Sequence, residues 1–196
     1  MTKPATGILE TQDRVLDGAG QVAIVIAASL FVALCARVTL PLPFTPVPLT
    51  LQNFGVLVVG LSLGSRRGFV ALILYLAEGL AGMPVFSPTG PGGVAQLLGP
   101  TGGFLLAYPF VAGIAGWVFE EKATESGKSF ARAATACVLA EIYLFVGGLS
   151  WLAILTHSFN QALRFGLYWF VFAEVIKIMS AAALASGWQR FHKVQS

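Results

Sequence analysis

Four ionisable residues stand inside long apolar runs: Glu78, Glu141, Glu174 and Lys177. A charge at mid-membrane depth costs about 2.5–3.5 kcal/mol even on the lenient insertion scale. Each therefore needs a partner, a wet cavity or a neutral state. Glu174 and Lys177 are three residues apart, on one face of a helix and within pairing distance. Packing alone favours apolar residues at such depth, so the pair reads as the polar grip of a cavity that holds a solute. A salt bridge that merely neutralises two charges is the alternative. Glu78 closes its apolar run just before a glycine-rich stretch and either faces the same cavity or reaches the interface. Glu141 lies near the start of its run, where snorkelling to water is easy, and is read that way. Arg37 and Arg164 stand at run ends and read as interface anchors.

The elements that must position these groups follow from composition. Of the 196 residues, 56% are hydrophobic and 11% charged, against about 25% charged in soluble domains. The mean hydropathy is +0.78. These values exclude an ordinary soluble enzyme and a disordered chain. They predict an all-α polytopic membrane protein, a single integral-membrane domain over 1–196. Six spans are expected near 21–36, 51–63, 69–82, 104–119, 133–155 and 163–185, after a polar tail over 1–19. The net charge of +3 does not indicate nucleic acid, because Lys and Arg are scattered singly rather than gathered on one face. Cys35 and Cys137 lie in apolar runs without a metal or disulfide pattern and read as small packing residues.

Cation placement sets the orientation. With both termini cytoplasmic, the tails and the second-to-third and fourth-to-fifth loops hold Lys3, Arg14, Arg66, Arg67, Lys122, Lys128, Arg132, Arg190 and Lys193, nine of the twelve cations. The positive-inside rule then puts two uncharged loops outside. One carries Pro41, Pro43, Pro46 and Pro48, which forbid a regular helix. The other runs from Met83 to Gly103 and is dense in Pro and Gly. Both include apolar residues (Leu40, Leu42, Phe44, Val47, Val85, Phe86, Leu97 and Leu98) that favour folding back over the helix ends, since irregular backbone is tolerated where it lines a protein cavity. The pairs Gly92-Gly93 and Gly102-Gly103 let backbone approach a solute closely. The expected structure is a lid over an outward-facing pocket.

Other motifs fail. Gly127-Lys128-Ser129 resembles the end of a P-loop, but Lys122 stands where its first Gly belongs and no strand precedes it. His157 has no metal-ligand companion, and Ser150 has no obvious base. The chain shows no ATPase machinery. In the first span, Ala23 with Ala27 and Ser29 with Ala33 are small residues four apart, a spacing that admits a partner helix or serves packing within the chain.

The stretch Leu40-Pro41-Leu42-Pro43-Phe44-Thr45-Pro46-Val47-Pro48-Leu49-Thr50-Leu51-Gln52 resembles the signature loop of the BioY family, the biotin-specific substrate-binding (S) components of energy-coupling-factor transporters. The resemblance continues through Tyr75 to Phe86, Leu98-Gly99-Pro100-Thr101-Gly102-Gly103-Phe104, Tyr143 to Leu152, and Phe172-Ala173-Glu174-Val175-Ile176-Lys177. The family usually carries Asp where this chain has Glu174, so the carboxylate sits one methylene farther out. The resemblance implies biotin captured from outside a prokaryotic cell membrane, with no cofactor and no enzymatic step. It implies Glu174 accepting from a ureido N–H, and Lys177 donating to the ureido carbonyl or holding Glu174 ionised. Phe86, Tyr143 and Trp151 would cover the rings, Glu78 would face the site, and Gly92 and Gly93 would close above. Release would need a membrane-embedded coupling (T) subunit, docked on the first helix at Ser29 and Ala33, and two ATPases, with the S component tilting in the bilayer. An S component for another vitamin and an intramembrane enzyme using Glu78 or Glu174 are the competing readings.

Overall fold

A computed structural model describes the backbone of residues 5–121 and 129–195 and the side chains of 18–120 and 129–188. The P-loop-like Gly127-Lys128 and the cations Lys3, Lys122 and Lys128 lie outside the described residues, as do the side chains of Arg14, Arg190 and Lys193. The elements in order are α1 (Ala5–Arg37), β1 (Thr39–Leu40), β2 (Leu49–Thr50), α2 (Gln52–Leu80), α3 (Gly93–Leu98), α4 (Gly102–Glu121), α5 (Ser129–Thr156), α6 (Phe159–Gly166) and α7 (Val171–Gln195). Five of the described helices are long and apolar enough to cross a membrane.

The difference from six spans lies in α2. At Gly64 the backbone takes φ 78°, a conformation open to glycine at little steric cost, and the helix folds back on itself. A Cβ on Gly68 would lie 3.3 Å from the Cα of Gly60, whereas eight residues of straight helix separate two Cα atoms by about 12 Å. Gln52 Nε2 likewise reaches the Tyr75 hydroxyl at 2.7 Å. The expected second and third spans are thus two antiparallel arms, 52–63 and 65–80, hinged at the expected basic turn. Arm 52–63 rises only about 18 Å, short of a ~30 Å hydrocarbon core.

The last span also differs. It begins at Val171, not at 163, because residues 159–166 form the separate short helix α6, capped by the Ser158 hydroxyl accepting from Gln161 N–H at 3.4 Å. Neither tail is irregular over its described part: α1 extends back to Ala5 and α7 continues to Gln195.

At the loop-bearing end of the bundle, the proline loop is the turn of a two-residue antiparallel ribbon that pairs Thr39 with Thr50 and Leu40 with Leu49. Its tip bends over α6: the Thr45 hydroxyl donates to the Phe165 carbonyl at 2.6 Å and accepts from Val47 N–H at 3.1 Å. Phe44 packs on the Trp169 ring, centroids 4.3 Å apart. The second Pro- and Gly-rich loop contains α3 and is tied down by Trp151 Nε1, which donates to the Gly99 carbonyl at 2.9 Å, and by the Tyr75 hydroxyl, which donates to Val85 O at 2.9 Å. Of the apolar loop residues, Val47, Val85, Phe86 and Leu97 are buried, whereas Leu40, Phe44 and Leu98 remain exposed.

The other half of the bundle is solidly filled. Val111, Ala112 and Ala115 of α4 and Ala133, Ala136, Cys137 and Ala140 of α5 have no solvent exposure. Both cysteines are buried and unpaired, as packing residues should be.

Candidate substrate pocket

The loop-bearing ends of α2, α4, α5 and α7 enclose a cavity of about 60 Å³ beneath the two loops. A wider vestibule of about 230 Å³ lies between the loops and shares Pro48, Gln96 and Thr101 with it. Small-molecule sites usually occupy about 300–1,000 Å³. The cavity and vestibule together approach that range, and neither does alone. Phe104, Phe145 and Phe170 form apolar wall, with Phe104 and Phe145 edge to face at 6.4 Å. Gln52, Asn53, Gln96, Tyr108, Glu174 and Lys177 bring polar atoms to it.

Glu174 and Lys177 meet here as their spacing requires. Both are more than nine-tenths buried, and Lys177 Nζ donates to Glu174 Oε1 at 2.6 Å. Glu174 lies in the first turn of α7, where the exposed amides of a helix N-terminus favour a carboxylate. Its second oxygen, Oε2, accepts from Asn53 Nδ2 at 2.8 Å. Both oxygens of Glu174 therefore already hold protein donors, whereas two of the three Lys177 protons have no partner among the described residues.

Glu141 overturns its sequence reading. It is 4% exposed and accepts from the same Asn53 Nδ2 through Oε1, so it turns inward rather than snorkelling. Asn53 thus bridges two carboxylates from α5 and α7. Its own Oδ1, and Oε2 of Glu141, are buried without a hydrogen-bond partner among the described residues.

Several other expected site residues do not line the cavity. Phe86 is buried against Tyr75 at 5.4 Å and supports the loop. Tyr143 points away from the cavity, exposed and beside Phe110. Two residues beyond Glu141, it is turned about 200° round the helix. Trp151 anchors Gly99. Gly92 and Gly93 act indirectly: both have positive φ, and Gly92 N–H donates to Oε1 of the lining residue Gln96 at 3.1 Å. Glu78 and Ser29 find each other instead, the Ser29 hydroxyl donating to Glu78 Oε2. Ser29 is fully buried and Ala33 half-buried against the core, so this pair serves internal packing. The exposed small pair on α1 is Ala23 with Ala27.

Sequence reasoning missed Asn53, Gln96, Tyr108, Phe104, Phe145 and Phe170 as lining residues. A signal existed for Asn53, since consecutive amides at 52 and 53 opening an apolar helix are unusual enough to mark a buried polar site.

A profile of the BioY family covers residues 6–193. The chain belongs to the BioY family. It is 37% identical over 159 residues to the probable biotin transporter BioY of Pyrococcus horikoshii, covering 80% of this chain and 90% of that one. It is 33% identical over 161 residues to the biotin transporter BioY of Thermotoga maritima, covering 82% and 92%. The fold resembles a crystal structure of the S-component for biotin from an ECF-type ABC transporter, with a TM-score of 0.80, 22% identity and coverage of 89% and 93%. The BioY relatives named here are transporters rather than enzymes, and the chain is a multi-pass membrane protein of that family.

Proposed function

We propose that this BioY protein captures biotin from the outer face of a prokaryotic cell membrane as the substrate-binding component of an ATP-driven transporter. The observation that carries the reading is the buried Asn53–Glu174–Lys177 cluster at the foot of a phenylalanine-walled cavity. Biotin offers a cyclic urea with two N–H donors and one carbonyl, an apolar thioether ring and a carboxylate tail. Asn53 Oδ1 supplies an acceptor for a ureido N–H, the free Lys177 protons supply donors for its carbonyl, and Phe104, Phe145 and Phe170 cover the ring. The proline and glycine loops close above, and the tail runs toward the vestibule. The names of the relatives support the same solute.

The positive-inside bias supports cytoplasmic termini. For coupling, the exposed Ala23 and Ala27 of α1 replace Ser29 and Ala33 as the surface for a membrane-embedded T subunit, which would act with two ATPases. A panel of labelled vitamins against the purified chain tests the reading. Biotin alone should bind, and binding of a different vitamin with biotin excluded would overturn it.

A further inference from the structure

The amide of Asn53 is held in one orientation by two carboxylates, of which Glu174 lines the cavity and Glu141 does not. An Asn side chain has two N–H donors. Here Nδ2 is shared between Glu141 Oε1 and Glu174 Oε2. Turning the amide over would set its carbonyl against both carboxylates, so the network excludes that orientation. Oδ1 is then the atom left over. Asn53 is 4% exposed, lines the cavity, and has no partner for Oδ1 among the described residues. Glu174 is engaged by Lys177 as well, but Glu141 makes no other hydrogen bond among the described residues. A buried carboxylate used in this way is a poor choice for packing, since apolar residues of similar volume are often as stable or more so.

We infer that Glu141 is a positioning residue for solute recognition: together with Glu174 it holds Asn53 so that the pocket presents a fixed acceptor and demands an N–H donor from the urea ring. The inference rests on the biotin reading above. A solute that places a methyl group at this point leaves Oδ1 buried and unsatisfied, which should weaken binding about ten- to a hundredfold.

The probes are biotin and its two analogues methylated at one or the other ureido nitrogen, titrated into the purified protein. In the unaltered chain at least one analogue should bind tenfold or more weakly than biotin. In Glu141→Met, which removes one of the two acceptors while keeping volume, Glu174 alone holds the amide, and that ratio should fall at least threefold. Glu141→Gln, whose carbonyl still accepts from Asn53, should restore it. A purely structural role would lower thermal stability in Glu141→Met and leave the ratio intact, which would overturn the inference. So would an unaltered chain that binds biotin and both analogues within threefold, a result that needs no variant to fold. Absence of any biotin binding to the unaltered chain would instead remove the reading on which the inference stands.

Discussion

Lys177 carries the only cation that lines the cavity among the described residues, and replacing it has two consequences. A solute loses its charged donor, and Glu174 loses its nearest counterion. Lys177→Ala should weaken biotin binding tenfold or more, on the order of 1.4 kcal/mol, by calorimetry on the detergent-solubilised chain. Unchanged affinity would take the pair out of the site. The importance of Glu174 and Lys177 was legible because charge inside an apolar run needs a reason. Asn53 was easier to pass over, because a single uncharged amide at a helix start is equally at home as a cap and only its pairing with Gln52 sets it apart. The aromatic choices misled for a different reason: residue type says nothing of facing. On α5, the buried set Glu141, Leu144, Gly148 and Leu152 follows the 3.6-residue period, and that stripe already sets Tyr143 on the opposite face.

At the scale of elements, the hairpin in α2 and its packing on α4 place Asn53 at the right height. A Cβ on Gly116 would lie 2.4 Å from the backbone of both Gly64 and Ser65, too close without separating the two elements. Gly116→Ala should destabilise the protein by about 1–3 kcal/mol, read as a lowered Tm. Gly187→Ala, where nothing lies within 4 Å, should leave it unchanged and serves as control. The lid has its own fastening. Trp151→Phe keeps the ring but removes the donor to Gly99, a loss of about 0.5–1.5 kcal/mol, and should weaken biotin binding several-fold without abolishing it. Both loops were legible as lids, because their prolines exclude helix and their apolar residues favour cover. The extra helix α6 was not, because its sequence joins the next apolar run without a strong breaker.

For the whole molecule, coupling and capture should separate. Ala23→Leu with Ala27→Leu adds bulk to a face of α1 that is exposed among the described residues. Biotin binding by the purified chain should persist, while uptake by cells that also express the coupling subunit and ATPases should fall to background. Normal uptake would move the docking surface elsewhere. Composition made the bundle legible, and the proline signature made the family legible. Which small residues of α1 face out depended on α1's rotation against α2, which the spacing of alanines leaves open.

Among the described residues, the tightly packed alanines and Cys137 beneath the polar cluster close the bottom of the cavity. A vessel open at one rim equilibrates its cargo with one compartment and offers no channel for leakage to the other. Acting alone, the chain should therefore retain label in fixed stoichiometry, one molecule per copy. Accumulation beyond that ratio by the chain alone would overturn this expectation.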